Sequence, residues 1–416
     1  MIDSIFVRAC VLARLHQNPL QPHLEELATT LYEQGYARRS IQDCVLAGDK
    51  FGWWLQQQGC VGTEIVETLL ERYITGLKRY RSGKRCKAAA GLNHLFRILR
   101  QHGVVVERQA ATPVAPADHW LARYEQYLEQ AMGAAVSTRQ CYRPIIRQFI
   151  TKCSISGEIN WASLSAETVT EFVCEQATPR LGHGRKKPSV AVRSFLRFLV
   201  FEGEINTGLE AAAPSPPQWR HAALPVRLTS EQVERVLAVY NEKTAGSLRN
   251  RAMLLLLARL GVRAGEVLTL GLDDIDWYQG LLTIRPGKTH RARTLPLPQE
   301  VGKALVAYLE GGRPKGSTSR QIFLQCLPPF QPLATSNAIV KVVRQALQRA
   351  GVTKQPRVVS HIFRHTAASQ MLNQGASFKD VADVLGHRSL QTTGIYGKLD
   401  LDALVSVAQP WLGGAQ

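Results

Sequence analysis

Four polar side chains near the C-terminal end have the types and spacing for chemistry. They are His361, Arg364, His387 and Tyr396, within SHIFRHTAASQMLNQGASFKDVADVLGHRSLQTTGIY (360–396). An arginine fork matches the oxygens of a phosphate. Imidazoles hydrogen-bond or move protons near neutral pH, and a phenol can attack phosphorus once its proton is drawn off. The stretch lacks a carboxylate cluster suited to a metal. The set points to phosphoryl transfer through a covalent phosphotyrosine.

Short helices must position these groups. Ser360 is a plausible N-cap, and Gly375 closes the helix that follows. Ser377 with Asp380 three residues on is an approximate capping box for a second helix, which ends at Gly386. A third begins near Ser389 and carries Tyr396. His361 and Arg364, three apart, share one helical face, and the turn Leu385-Gly386-His387 presents the second imidazole.

These residues carry a family resemblance. His361-Ile362-Phe363-Arg364, Leu385-Gly386-His387 and a tyrosine nine residues later, Tyr396, resemble the C-terminal signature of the tyrosine recombinases, the phage-integrase superfamily. Upstream, Leu260-Gly261-Val262-Arg263-Ala264-Gly265-Glu266-Val267 is similar to the family's first-arginine motif, with Val262 and Val267 as mild departures. The resemblance implies a site-specific recombinase of integrase or transposase type. In it Arg263 and Arg364 grip the scissile phosphate, and His361 serves as general acid/base towards Tyr396. His387 donates a hydrogen bond to the phosphate. Lys288, in IRPGKTHRARTLPL, matches the hairpin lysine that protonates the leaving 5′ oxygen, and Glu266 reads as a structural partner. The implied product is a 3′-phosphotyrosyl enzyme and a 5′ hydroxyl, then strand exchange through a Holliday junction, with neither metal nor ATP and no other cofactor.

Rival readings are weaker in the residues. His361 and His365 four apart suggest zinc, but Ile362 stands where His-Glu-x-x-His needs its glutamate. Gly394-Ile395-Tyr396 matches a nuclease tripeptide without a second half. A catalytically inactive DNA binder and a topoisomerase-like relative remain as alternatives. The first is disfavoured because Arg263, Lys288, His361, Arg364, His387 and Tyr396 are all present.

The bulk numbers agree on the partner. A chain of 416 residues accommodates two or three domains. A formal charge of +18 and a pI near 9.8 favour a polyanion. No apolar run reaches the 18 or so residues a membrane span needs, and the N-terminus lacks the order of a cleaved signal. Eight scattered cysteines without a Cys-x-x-Cys pair read as reduced thiols, hence a cytoplasmic protein. Double-stranded DNA is the expected partner, and the resemblance implies a homo- or hetero-tetramer on it.

Along the chain, amphipathic spacing predicts a helical domain over 1–110 and another over 118–210. The two match at an offset near 100 residues: Arg85 and Lys87 with Arg185 and Lys187, Arg97 with Arg197, Leu99 with Leu199, Gly103 with Gly203. This suggests two copies of one four-helix module. The second resembles the family's core-binding, SAM-like DNA clamp. The basic turns Lys84, Arg85, Lys87 and Arg185, Lys186, Lys187 are candidate phosphate contacts. A linker with four prolines spans 211–227 and leads to a catalytic domain over 228–416. There, after a buried helix at Arg249–Leu260, three short strands are predicted at Asp273–Trp277, Leu281–Arg285 and Thr294–Leu297. Arg291 and Arg293 beside the hairpin are further candidates for the DNA backbone. The fold class is thus mainly α with a small three-stranded antiparallel sheet in the catalytic domain.

Overall fold

Apolar residues three and four apart, such as Leu24, Leu27 and Leu31, force helices that bury one face. The computed structural model describes residues 1–59, 65–79, 87–106, 116–154, 159–178, 182–215, 226–286, 292–352 and 361–387. It divides into two compact units, Val106–Arg220 and a second comprising Met1–Val105 with His221–Gln416.

Residues 1–106 hold α1 (Ile2–Ile5), α2 (Ala9–His16), α3 (Gln21–Glu33), α4 (Arg38–Gln57), β1 (Ile65–Val66), α5 (Glu67–Arg79), α6 (Lys87–Gln101) and β2 (Val105–Val106), with β1 beside β2. Their core gathers Leu15, Leu24, Leu31, Val45, Phe51, Leu95 and Leu99. Phe51 meets Phe96 edge to face at 5.1 Å. An interlocked ring pair of this kind fixes α4 against α6 beyond what area burial alone gives.

The unit Val106–Arg220 holds α7 (Pro116–Gln130), α8 (Val136–Cys153), α9 (Ala166–Ala177) and α10 (Lys186–Phe201). Phe195 and Phe198 on α10 are wholly buried among Tyr124, Phe149 and Trp161. Ser165 caps α9 by accepting the Thr168 N–H at 3.2 Å. The α6 and α10 ends close alike: Gly103 N–H bonds Arg100 O at 3.1 Å and Val104 N–H bonds Leu99 O at 3.0 Å. The corresponding bonds from Gly203 to Val200 and Glu204 to Leu199 measure 3.1 and 2.9 Å. The stretch expected as a basic turn is helical in part. Arg185 sits at the N-cap, and Lys186 and Lys187 occupy the first turn of α10, where Pro188 is tolerated because its missing N–H has no partner to lose.

The C-terminal part runs α11 (Ser230–Ala238), α12 (Ala245–Leu260), α13 (Ala264–Thr269), β3 (Ile275–Asp276), β4 (Leu281–Ile284), β5 (Arg293–Pro296), α14 (Gln299–Gly311), α15 (Asn337–Arg349), α16 (Ile362–Asn373) and α17 (Phe378–Leu385). Ala252 to Ala258 is buried without a break, so α12 has no solvent face along that run and is covered on every side. Neighbours α11, α13, α14, α15 and α16 supply that cover. The sheet is antiparallel in the order β3-β4-β5, pairing Ile275 with Leu282, Leu282 with Leu295 and Ile284 with Arg293. The first strand is shorter than predicted. Leu272–Asp274 forms a 3₁₀ turn in which buried Asp274 accepts the Gly271 N–H at 2.8 Å and pairs with Arg285.

Both C-terminal helices follow their punctuation. Ser377 and Asp380 exchange the capping-box bonds, each at 3.1 Å. The preceding helix starts at Ile362 with His361 as N-cap, while the expected cap Ser360 lies outside the described residues. Two turns need a left-handed residue, Gly261 after α12 (φ 60°) and Gly386 after α17 (φ 64°). Space is short as well. A Cβ on Gly261 would stand 2.7 Å from Leu385 Cδ2 and 3.2 Å from Ala367 Cβ. Gly261→Ala is expected to lose about 1–3 kcal/mol of stability from strain and overpacking together. A lower urea midpoint at unchanged m would register it.

Candidate active site

The last turn of a helix leaves carbonyls without partners, and cations gather there. Arg364, on the first turn of α16 and only 3% exposed, donates from Nη1 to Gly261 O at 2.8 Å and from Nη2 to Leu385 O. One guanidinium thereby ties α16 to the ends of both α12 and α17. Arg263, the N-cap of α13, donates from Nη2 to Gly386 O at 3.2 Å and from Nη1 to Glu266 Oε1 at 2.8 Å. Two arginines 101 positions apart in sequence (364 − 263) thus bind the same short turn, Leu385-Gly386.

Glu266 is the counter-charge. It accepts the Arg263 backbone N–H at 2.8 Å and is gripped by both terminal nitrogens of Arg293, at 3.1 and 2.8 Å. Burial alone would raise its pKa. The bonds from Arg293 and Arg263 outweigh that and hold it at about 2. Arg293 also donates from Nε to Val384 O at 2.8 Å, and its side chain is 9% exposed. Its guanidinium therefore faces inward to Glu266 and α17, not outward as expected of a DNA-backbone contact. The missed signal was the strand period. Arg293 stands two residues before buried Leu295 and opposite buried Ile284, so it belongs to the inward face of β5.

The imidazoles sit in this positive field. His387 follows Gly386 and is 5% exposed; its N–H bonds Ala382 O at 2.9 Å. Burial first, then Arg364, Arg263 and Arg293, push its pKa down to about 3. His361 keeps an exposed edge at the start of α16. The protein packed behind it, then Arg364 and Arg263, lower its pKa too. His365, which sequence reading weighed only for zinc, joins the group. Its ring centroid lies 6.2 Å from that of His361, and burial, then His361 and Arg364, bring its pKa to about 4. Near neutral pH the rings lean to the uncharged form beside the guanidinium groups of Arg263, Arg364 and Arg293.

Arg263, His361, Arg364 and His387 are therefore brought together. Lys288, Arg291 and Tyr396 lie outside the described residues, as do Lys84 and Arg85. Lys87 opens α6. Arg185 and Lys187 are exposed, and Lys186 is half-buried. Chemically, the assembled groups offer fixed positive charge and imidazole donors or acceptors close to one another. Among the described residues no helix is long and apolar enough to cross a membrane.

Comparison with known proteins gives the same reading. Residues 226–401 match the model of the phage integrase family. The chain is 38% identical over 408 residues to the Sinorhizobium fredii protein y4rA, named an integrase/recombinase, covering 97% of this chain and 98% of that one. It is 31% identical to the tyrosine recombinase XerD of Mycobacterium tuberculosis, over 70% of this chain and 96% of XerD. In fold it is similar to the XerH recombinase solved on its difH substrate after cleavage (TM-score 0.53, 20% identity, 70% of this chain and 84% of that one). It is also similar to a lambda integrase dimer on a core site (TM-score 0.52, 19% identity, 67% and 94%). Matched to y4rA along nearly its whole length and to XerD over 70% of it, the chain belongs to the phage integrase family of tyrosine recombinases, enzymes that cleave and rejoin DNA strands.

Proposed function

We propose that Tyr396 is the nucleophile of a site-specific recombination reaction whose phosphate is held by Arg263 and Arg364. The observation that carries this is the attachment of both guanidinium groups to the Leu385-Gly386 turn, next to His387, which stands nine residues before Tyr396. The arginines neutralise the non-bridging oxygens as charge builds on phosphorus. His361, neutral and at the rim, takes the phenolic proton. His387, also neutral, donates to a non-bridging oxygen. The bond from phosphorus to the 5′ oxygen breaks as the tyrosyl oxygen bonds phosphorus, and Lys288 gives the leaving oxygen its proton. The ester formed keeps the energy of the broken bond, so attack by a 5′ hydroxyl of a second duplex completes an exchange without ATP.

The assembly follows from the same reading. Four copies on two duplexes meet the need for two sites cut in turn, as in the lambda integrase tetramer solved on a Holliday junction. Residues 118–210 serve as a DNA clamp and 228–416 as the catalytic domain, joined by the linker at 211–227, with 1–110 as an additional helical domain. Arg185, Lys186 and Lys187, with Lys84, Arg85, Lys87 and Arg291, neutralise phosphates along the duplex, and the reaction takes place in the cytoplasm. Arg293 acts from within, steadying Glu266 and through it Arg263.

Tyr396→Phe is expected to bind a cognate duplex with near wild-type affinity and to form no covalent protein–DNA adduct on denaturing gels. Adduct formation by this variant would refute the assignment.

Arg293→Ala leaves Glu266 buried with half its partners, so about 3–5 kcal/mol of stability should go. The salt dependence of DNA binding should stay as in wild type, because no phosphate contact is removed. A slope reduced by about one ion would return Arg293 to the DNA backbone.

His387 also sets a pH dependence of folding. Its pKa is near 3 when folded and about 6.5 when unfolded, so the unfolded chain binds the extra proton between those values. Stability is complete above pH 6.5 and falls as the medium is acidified. Between pH 7 and 5 this one group costs about 2 kcal/mol, and His387→Asn should show a correspondingly shallower loss in denaturant titrations.

A further inference from the structure

His23 and Glu26 lie one turn apart on α3, and His102 caps the far end of α6, bonding Ile98 O through its N–H at 3.0 Å. Packing of the first helical core brings the three side chains to one place. His102 Nε2 lies 2.7 Å from Glu26 Oε2, and the rings of His23 and His102 are 5.3 Å apart at 53°. One nitrogen or oxygen from each residue lies within 4.8 Å of the other two. We propose that His23, Glu26 and His102 bind a divalent metal ion of the zinc class.

Two imidazoles and one carboxylate are the donor set such an ion takes, with a fourth position left to water. Metal bonds of about 2.0–2.2 Å would set neighbouring donors roughly 3.3 Å apart in a tetrahedron. Small side-chain rotations close the difference. The charges favour it as well. His102 sits where the carbonyls of the last α6 turn favour a cation. His23 is in the first turn of α3, at the end that disfavours imidazolium, and Glu26 one turn on brings a carboxylate oxygen to the same point. His23 and Glu26 are half-buried and His102 is exposed, which leaves an entry path. The ion would join two points 76 residues apart along the chain and pin α3 to the end of α6.

The test uses the full chain stripped of metal and titrated with Zn²⁺ against a chromogenic chelator, with the His23→Ala/His102→Ala double variant and Glu26→Gln in parallel. Wild type should bind one more equivalent than the double variant, and that equivalent should weaken by at least about 10-fold in Glu26→Gln, since even residues behind a ligand cost that much. Zn²⁺ should raise the unfolding temperature of wild type by on the order of 5 °C and leave the double variant unmoved. Far-UV circular dichroism verifies that both variants fold; Glu26→Gln carries the result if the double variant does not. Zinc stoichiometry and affinity identical across folded proteins would overturn the proposal and leave a plain His102–Glu26 ion pair with His23 packed beside it.

Discussion

A guanidinium kept from water has to be answered by oxygen, and this requirement shapes the catalytic part of the chain. Arg364 and Arg293 are nearly enclosed, and an unpaired charge at such depth would cost several kcal/mol. The answering oxygens are mostly backbone carbonyls at helix ends, Gly261 after α12 and Val384 and Leu385 at the end of α17. Those carbonyls have no partner inside their own helices. The site is built by letting one group of orphans satisfy another.

Glu266 completes this arrangement. A lone carboxylate between Arg263 and Arg293 prevents two guanidinium groups from repelling each other across β5 and α13, and it fixes Arg263 through backbone and side chain together. Preorganisation of this kind matters because a donor already in place does not have to reorganise as charge builds on a bound phosphate. The same positive field that depresses the pKa of His387, His365 and His361 is the one a phosphate diester would meet on entering. That field, with burial, keeps the imidazoles from taking up a proton near neutral pH. A neutral imidazole at His361 can accept a proton.

Much of this was legible in the residues themselves. The capping box at Ser377, the closing glycines at 375 and 386, the buried character of α12 and the three-strand pattern are local signals, set by backbone sterics and apolar periodicity. Strand ends were less so. Asp274 bonds back to Gly271 and shortens β3, a competition between side chain and ladder that periodicity does not register. Lys186 and Lys187 read as a turn from their charge, yet α10 starts beneath them because Pro188 suits a first turn.

The sequence by itself determined which residue types stand at which spacing, and so the kind of chemistry and the helices that deliver it. Tertiary structure decided which charges keep access to solvent and which are turned onto one another. Arg293 and Arg263 look alike in sequence, each in a short basic or glycine-rich context. Strand register turns the first inward onto Glu266, while the position of Arg263 at the head of α13 leaves its side chain 27% exposed. The meeting of His23 and Glu26 with His102 was likewise invisible along the chain, because nothing local relates residues so distant; the packing of α3 against α6 does.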